Sequence, residues 1–185
     1  MNNIITSKED ILKASRELIK RKGINSINMR SVAEEANIAV GSIYNYFKSK
    51  EELTIAVIVS VWLDIFHPLN VCLESDNFLD IVDTIFKSLD KGNKKYPNFL
   101  SMHSTMLFGK NKSKGINMMN KVQKHIKDGL YKTLMNDKKV REDAFNNNFT
   151  ADKFIDTILS FIINSMINAN YDGSVIKEII KRTIY

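Results

Sequence analysis

The sequence predicts an all-α protein, and three observations carry that expectation. Proline occurs only at Pro68 and Pro97, so long stretches are free to be helical. Apolar residues recur at three- and four-residue spacing along the chain. No run alternates apolar with polar residues as a half-buried strand does. In the first helix Ile11, Leu12, Ser15, Leu18 and Ile19 share one face. Ser7 with Asp10 makes a capping-box-like start, and Lys20, Arg21 and Lys22 followed by Gly23 make a stop. Asn28 is a good N-cap for the next helix, which buries Val32, Ala33 and Ala36. A longer helix opens at Ser49, with Glu52 completing a capping box, and runs towards Pro68.

Beyond Pro68 the segments lengthen. Phe78, Leu79, Val82, Ile85, Phe86 and Leu89 line one helix ended by Gly92. Phe99, Met102, Met106 and Leu107 line another, opened by Pro97 and closed by Gly109. Ile116, Met119, Val122, Ile126 and Leu130 mark a long third. Thr150 caps a fourth, "ADKFIDTILSFIINSMINANY", and Gly173 and Ser174 separate it from a last helix carrying Ile176, Ile179, Ile180 and Ile184.

Composition narrows the function. A hydrophobic fraction of 44% belongs to an ordinary globular chain. With Cys72 alone there is no internal disulfide, which suits a reducing compartment. The N-terminus "MNNIITSKEDIL" lacks a signal-peptide layout. The longest apolar run, "TIAVIVSVWLDIF", is too short to span a bilayer and carries Asp64. A soluble, cytoplasmic, membrane-free protein is expected. Of the net charge of +6, residues 1–50 hold nine Lys/Arg against five Asp/Glu. That is what a phosphate-facing segment carries, and equally what an ordinary solvated basic face carries.

The stretch "AEEANIAVGSIYNYFKSKEEL" reads as a short helix, a turn, a second short helix and the start of a third. This describes a helix-turn-helix unit. Ile38 plugs the turn, while Ile43 and Phe47 point back into a small core with Val32 and Ala36. Val40, Ser42, Tyr44, Asn45 and Tyr46 are left with more outward room. Gly41 lets the helix begin close to a backbone. A helix of this kind fits a major groove, where Ser42 and Asn45 can hydrogen-bond base edges and Val40 can touch a thymine methyl. Lys50 adds its ammonium to the free N–H groups of the following helix, as a phosphate clamp. A plain helical hairpin with packed tyrosines has the same periodicity.

These residues closely resemble the N-terminal DNA-binding domain of TetR-family transcriptional regulators, over residues 8 to about 60. Gly23, Arg30-x-Val32-Ala33, Gly41-x-Ile43-Tyr44-x-Tyr46-Phe47 and "KSKEEL" from Lys48 carry the resemblance. It implies a homodimer on palindromic operator DNA, a sensor domain behind the DNA-binding domain, and repression relieved by a small molecule. It also implies that Tyr44 and Lys50 touch phosphate. With Arg30 and Lys48, the candidate DNA-binding set is Arg30, Val40, Gly41, Ser42, Tyr44, Asn45, Tyr46, Lys48 and Lys50. Two positions depart from the pattern. Asn37 stands where glycine is common in the turn but tolerates a left-handed backbone. Ala39 replaces the usual Ser/Thr cap, which costs about 1 kcal/mol and one possible phosphate contact. The expected architecture is a helix-turn-helix domain (1–48), a connecting helix (49–67) and a ligand-sensing and dimerisation domain (68–185).

The remaining constellations are weaker. His67, His103, His125 and Cys72 match no metal-ligand spacing, and no nucleophile elbow or phosphate-cradling loop is present, so neither a metal, a cofactor nor an enzyme is expected. Six of eight methionines and nine of ten phenylalanines lie after residue 60. Core packing accounts for most of them; a pocket for a small hydrophobic or aromatic effector would draw on the rest. The middle helices, where the family keeps its pocket, nominate Trp62, Phe66, Phe86, Phe99, Met102, His103 and Met106. Control by a protein partner, or by none, is the alternative, and a helical scaffold that binds no DNA stands behind it. The fourth helix has a wide apolar circumference, so Ile158, Phe161, Ile162, Ser165, Met166 and Ala169 are expected at a dimer interface with Ile176, Ile179 and Ile180.

Overall fold

The structure is a computed structural model that describes residues 6–72, 76–102 and 114–185, without the side chains of residues 67–72, 114–123 and 125. Its elements are α1 (Lys8–Lys22), a 3₁₀ turn (Ile24–Ser26), α2 (Met29–Glu35), α3 (Val40–Tyr44), α4 (Lys50–Cys72), α5 (Phe78–Lys95), α6 (Lys114–Asn136), α7 (Ala151–Ile167) and α8 (Ser174–Ile184). Among the described residues there is no strand. The chain divides into two compact units. The first is residues 1–64 with 95–99, and the second is residues 65–94 with 100–185.

In the first unit the termini form where the local chemistry places them. The Ser7 N–H donates to Asp10 Oδ2 at 2.9 Å, and the Asp10 N–H donates back to Ser7 Oγ at 3.1 Å. Gly23 ends α1 at φ 74°, its N–H bonded to the Ile19 carbonyl at 2.8 Å. Asn28 Oδ1 accepts the N–H groups of Arg30 and Ser31, both at 3.0 Å. The reciprocal box expected at Ser49 is altered. Ser49 Oγ accepts the Glu52 N–H at 3.1 Å, but the Glu52 carboxylate reaches one residue further back, to the Lys48 N–H at 2.8 Å. Ile11, Leu18, Val32, Ile43, Phe47 and Leu53 are buried as the core of this unit, while Ala36 is only half-buried. The Arg21–Glu35 ion pair joins α1 to α2.

Helix α4 continues through Pro68 to Cys72, further than the sequence suggests. A proline inside a helix removes one N–H from the ladder and crowds the carbonyl four residues back, which kinks a helix without always ending it. Helix α4 leaves the first unit after Asp64, and residues 95–99 return to that unit. There the Lys95 Nζ and the Tyr96 hydroxyl both donate to Asp64 Oδ2, at 2.6 and 2.8 Å. Burial is the largest single influence on Asp64 and opposes ionisation. The bonds from Lys95 and Tyr96, with the charges of Lys95 and Arg16, outweigh it and hold the carboxyl below its usual range.

The second unit is built on the amphipathic faces of α5, α7 and α8. Ile81, Val82, Ile85, Leu89, Ile155, Ile158 and Ile180 are buried. Phe78 tilts against Phe154, with ring centroids 5.9 Å apart, and Phe86 meets Phe161 edge-on at 6.3 Å. Gly173 lies so close to Phe86 that a Cβ there would come within 2.7 Å of its ring. Buried Asp137 ties three places together, accepting the Phe78 N–H at 2.9 Å, the Lys139 N–H at 2.9 Å and the Tyr185 hydroxyl.

Asp137 yields a stability prediction. Burial is the strongest influence on it and pushes its pKa up. The hydrogen bonds from Tyr185, Phe78 and Lys139 outweigh this and hold it below the usual carboxylate range. Asp137→Ala leaves buried donors without a partner, so it should lower unfolding free energy at neutral pH by about 1–3 kcal/mol. Because the folded pKa is the lower one, the contribution of charge is complete above the unfolded value of roughly 3.9 and fades as pH falls through the folded value. Urea unfolding at pH 7 and near pH ~2.5 should therefore show the gap between variant and wild type shrink in acid. An unchanged gap would show that the carboxylate charge is irrelevant.

Candidate nucleic-acid interface

Helix α3 is short, and its surroundings do the positioning. Asn37, at φ 53°, turns the chain between α2 and α3, as a residue tolerant of the left-handed region can. The Ile38 N–H donates to the Ala33 carbonyl at 3.0 Å, and half-buried Ile38 closes the turn. Ala39 sits at the N-cap with φ −67° and ψ 143° and makes no side-chain hydrogen bond there. Ile43 and Phe47, both fully buried, anchor α3 from behind. At its end, the Tyr46 and Phe47 N–H groups converge on the Ile43 carbonyl at 3.0 and 2.9 Å.

Around those anchors in the sequence, several polar and cationic side chains reach solvent. Tyr44 is 53% exposed, Gly41 and Asn45 are exposed, and Val40 and Ser42 are half-buried. Arg30, Lys48 and Lys50 are exposed, and among the described residues none of the three is in an ion pair. Such cations are free to neutralise phosphates without first breaking internal bonds. Ser49 already occupies the Glu52 N–H at the start of α4, so the clamp at this terminus rests more on the Lys50 ammonium than on the helix end. Gly41 has an ordinary helical backbone, and a Cβ built there meets nothing within 4 Å. No backbone of the protein itself requires a glycine at this position.

Tyr46 differs from the outward-facing expectation. It is half-buried, and its hydroxyl donates to the Thr6 carbonyl, tying the start of α1 to the end of α3. The Lys8 ammonium lies 5.2 Å over the Phe47 ring beside it. Forty positions separate Thr6 from Tyr46, so no local pattern announces the tie.

The sensor candidates are divided between the two units. Trp62 and Phe99 are buried against each other in the first unit, with ring centroids 5.6 Å apart. Phe86 is buried in the second unit against Phe161, Phe66 there is half-buried, and Met102 is exposed. His103 and Met106 lie outside the described residues, as do the side chains of His67, Cys72 and His125. Among the described residues no group of His, Cys, Asp and Glu is arranged to hold a metal ion. None of the described helices is long and apolar enough to cross a membrane.

The dimer candidates divide by burial. Ile158, Ile162, Ser165, Met166, Ile176 and Ile180 are buried within the chain itself. Ala169 and Ile179 are exposed and Phe161 is half-buried. The exposed apolar surface of α7 and α8 is carried by Ile167, Val175 and Ile179, of which only Ile179 was nominated by the sequence.

A three-helix unit whose α3 is anchored in the core and partly exposed, with exposed cations on the neighbouring α2 and α4, has the form of a helix-turn-helix domain of the DNA-binding class. Residues 11–57 match the family described as bacterial regulatory proteins, tetR family. Over those residues the chain is similar to that family. It is 34% identical over 101 residues to an uncharacterized HTH-type transcriptional regulator of Lactococcus lactis subsp. lactis, covering 50% of each chain. The matched segments reach at most half the length of the curated relatives. Two solved structures share the fold along most of the chain. A TetR transcriptional regulator from Legionella pneumophila has a TM-score of 0.63 at 23% identity, covering 99% of this chain and 100% of that one. The transcriptional regulator FadR from Bacillus subtilis, in complex with stearoyl-CoA, has a TM-score of 0.62 at 19% identity, covering 88% and 86%.

Proposed function

We propose that this protein is a dimeric, cytoplasmic transcriptional repressor that docks α3 in the major groove of a palindromic operator and is released by a small apolar or aromatic effector. The observation that carries the reading is the exposure of Tyr44, Asn45, Lys48 and Lys50, at the end of α3, just after it and at the start of α4, beside the buried anchors Ile43 and Phe47. Phosphate contacts set the position, and Ser42, Asn45 and Val40 are placed to read bases. No catalytic step is required. The stearoyl-CoA bound by the Bacillus subtilis relative in fold favours an effector with a long apolar portion.

A regulator controlled by a protein partner is the second reading. The mutual packing of Trp62 with Phe99 and of Phe86 with Phe161 favours it, because those rings already fill one another's surroundings. Thermal stabilisation of the full chain by acyl-chain or aromatic compounds would favour the effector reading. Its absence across such a panel would favour the partner.

Gly41 supplies a discriminating substitution. Gly41→Ala replaces a helical glycine in open space, so it should stabilise the fold by up to about 1 kcal/mol. If DNA is what approaches the bare backbone, the same change should weaken operator binding. Thermal unfolding and fluorescence anisotropy on one preparation give both numbers. Higher stability with unchanged affinity would place the DNA elsewhere.

A further inference from the structure

Helical threonines in this chain follow one habit, and Thr133 breaks it. Thr54, Thr84, Thr157 and Thr183 each donate the hydroxyl to the carbonyl four residues back, at 2.8, 2.8, 2.8 and 2.6 Å. None of those four is buried. Thr133, on α6 in the second unit, is 1% exposed, and its Oγ1 has no hydrogen-bond partner among the described residues. A buried hydroxyl left unpaired destabilises a fold, and valine fills the same space without that cost. A second departure stands one turn back. Gly129 carries no side chain inside α6, which weakens a helix relative to alanine. Ile126, Gly129 and Thr133 recur at three- and four-residue spacing and so share one face. Ile126 and Gly129 are half-buried, whereas Leu130 and Leu134 beside Thr133 are buried. The face thus passes from a partly open stretch with a bare backbone to an apolar interior that holds an unpaired hydroxyl.

We infer that this face of α6 is the polar end of the effector site, where Thr133 Oγ1 donates to a neutral carbonyl on an otherwise apolar compound. The bare backbone at Gly129 leaves room for that group to approach. This rests on the effector reading above. The chemistry of the surroundings selects the carbonyl. The Asp137 N–H donates to the Thr133 carbonyl at 3.1 Å, so the turn continues and Asp137 follows on the same face. An anionic head would lie near that carboxylate, and like charges repel strongly away from water. A cationic head gains little there, because Phe78, Lys139 and Tyr185 already occupy the carboxylate. A pure hydrocarbon leaves the hydroxyl unpaired. The carbonyl of a ketone, ester, thioester or amide accepts the hydrogen bond without bringing charge into apolar surroundings.

The test uses the full chain as wild type, Thr133→Val, Thr133→Ser and Gly129→Ala. The probes are alkyl methyl ketones, methyl esters and aryl ketones of graded size, each paired with the hydrocarbon and the carboxylate of that size. Without a probe, Thr133→Val should melt about 2–4 °C above wild type, since valine keeps the shape and removes the unpaired hydroxyl. A melting temperature at or below that of wild type, or failure to fold, shows the hydroxyl bonded within the chain and overturns the anchor. At least one ketone or ester should stabilise wild type more than its paired hydrocarbon and carboxylate do. Affinity for that compound should fall roughly 3- to 10-fold in Thr133→Val. It should survive in Thr133→Ser and fall in Gly129→Ala, whose methyl fills the approach. The infrared carbonyl band of the bound probe gives a readout that packing alone does not move. It should lie at lower wavenumber on wild type than on Thr133→Val. A probe that binds all four proteins equally, with one band position, overturns the anchor and leaves the effector reading standing, as does preference for a carboxylate or a hydrocarbon. A panel that stabilises none of the proteins removes the effector reading and the anchor with it.

Discussion

Replacing Tyr44 and Lys50 together by alanine is expected to weaken operator binding by roughly two orders of magnitude. Both side chains are exposed, and Lys50 has no ion-pair partner among the described residues, so the fold loses little by their removal. A hydrogen bond to a charged group contributes about 1.5–3 kcal/mol, and about 1.4 kcal/mol is tenfold in affinity. Losing the Lys50 charge should also reduce the slope of log affinity against log salt by about 0.9. Selected and unrelated duplexes should be weakened alike, because phosphate contacts carry no sequence information. Anisotropy titrations at several salt concentrations measure both effects. Indistinguishable titrations for wild type and the double variant would rule out docking through this face.

Introducing aspartate at Val175 and Ile179 is expected to convert a dimer into monomers. The two side chains lie four residues apart on α8, 60% and 46% exposed, and Ile167 on α7 adds a third exposed apolar group. Charges introduced on such a face resist burial against a symmetry mate, whereas both positions are open in the single chain. Loss of the second recognition helix removes the gain from linked binding, roughly 10²- to 10⁴-fold. Sedimentation velocity of wild type and the double variant at micromolar concentration reports the mass, and operator titration reports the affinity. A wild type that sediments as a monomer, or a double variant that remains a dimer, would move the interface off this face. Changing Ile176 and Ile180 instead should damage folding, because they are packed inside the second unit.

That contrast marks how far a sequence can be read. Ser7 with Asp10, Asn28 and Gly23 act on backbone groups within four residues, so their roles are written locally and the helix ends follow. Ile43 and Phe47 are likewise four apart, and the turn closed by the Phe47 N–H on the Ile43 carbonyl brings them together. The front of α3 is legible for the same reason, as the side opposite these anchors. Helix α8 is harder, because its isoleucines occupy more than one face. Periodicity gives the faces, but only packing decides that Ile176 and Ile180 turn inward while Ile179 turns out. The Trp62–Phe99 pair and the bonds from Lys95 and Tyr96 to Asp64 join positions more than thirty residues apart. Nothing in a local window distinguishes Trp62 as a partner of Phe99 from Trp62 as the wall of a pocket. Tyr46 shows the same limit on a smaller scale, since its tie to Thr6 depends on where α1 begins relative to α3.

Sequence-specific, salt-dependent binding of the full chain to DNA is the central claim, and selection from a randomised duplex pool followed by salt titration tests it directly. An enriched palindromic sequence is expected, bound more tightly than its scrambled counterpart by roughly 10³-fold or more. Its affinity should fall steeply and linearly on a log–log plot against salt. A pool that yields no enriched sequence, with equal affinity for all duplexes, would contradict the account.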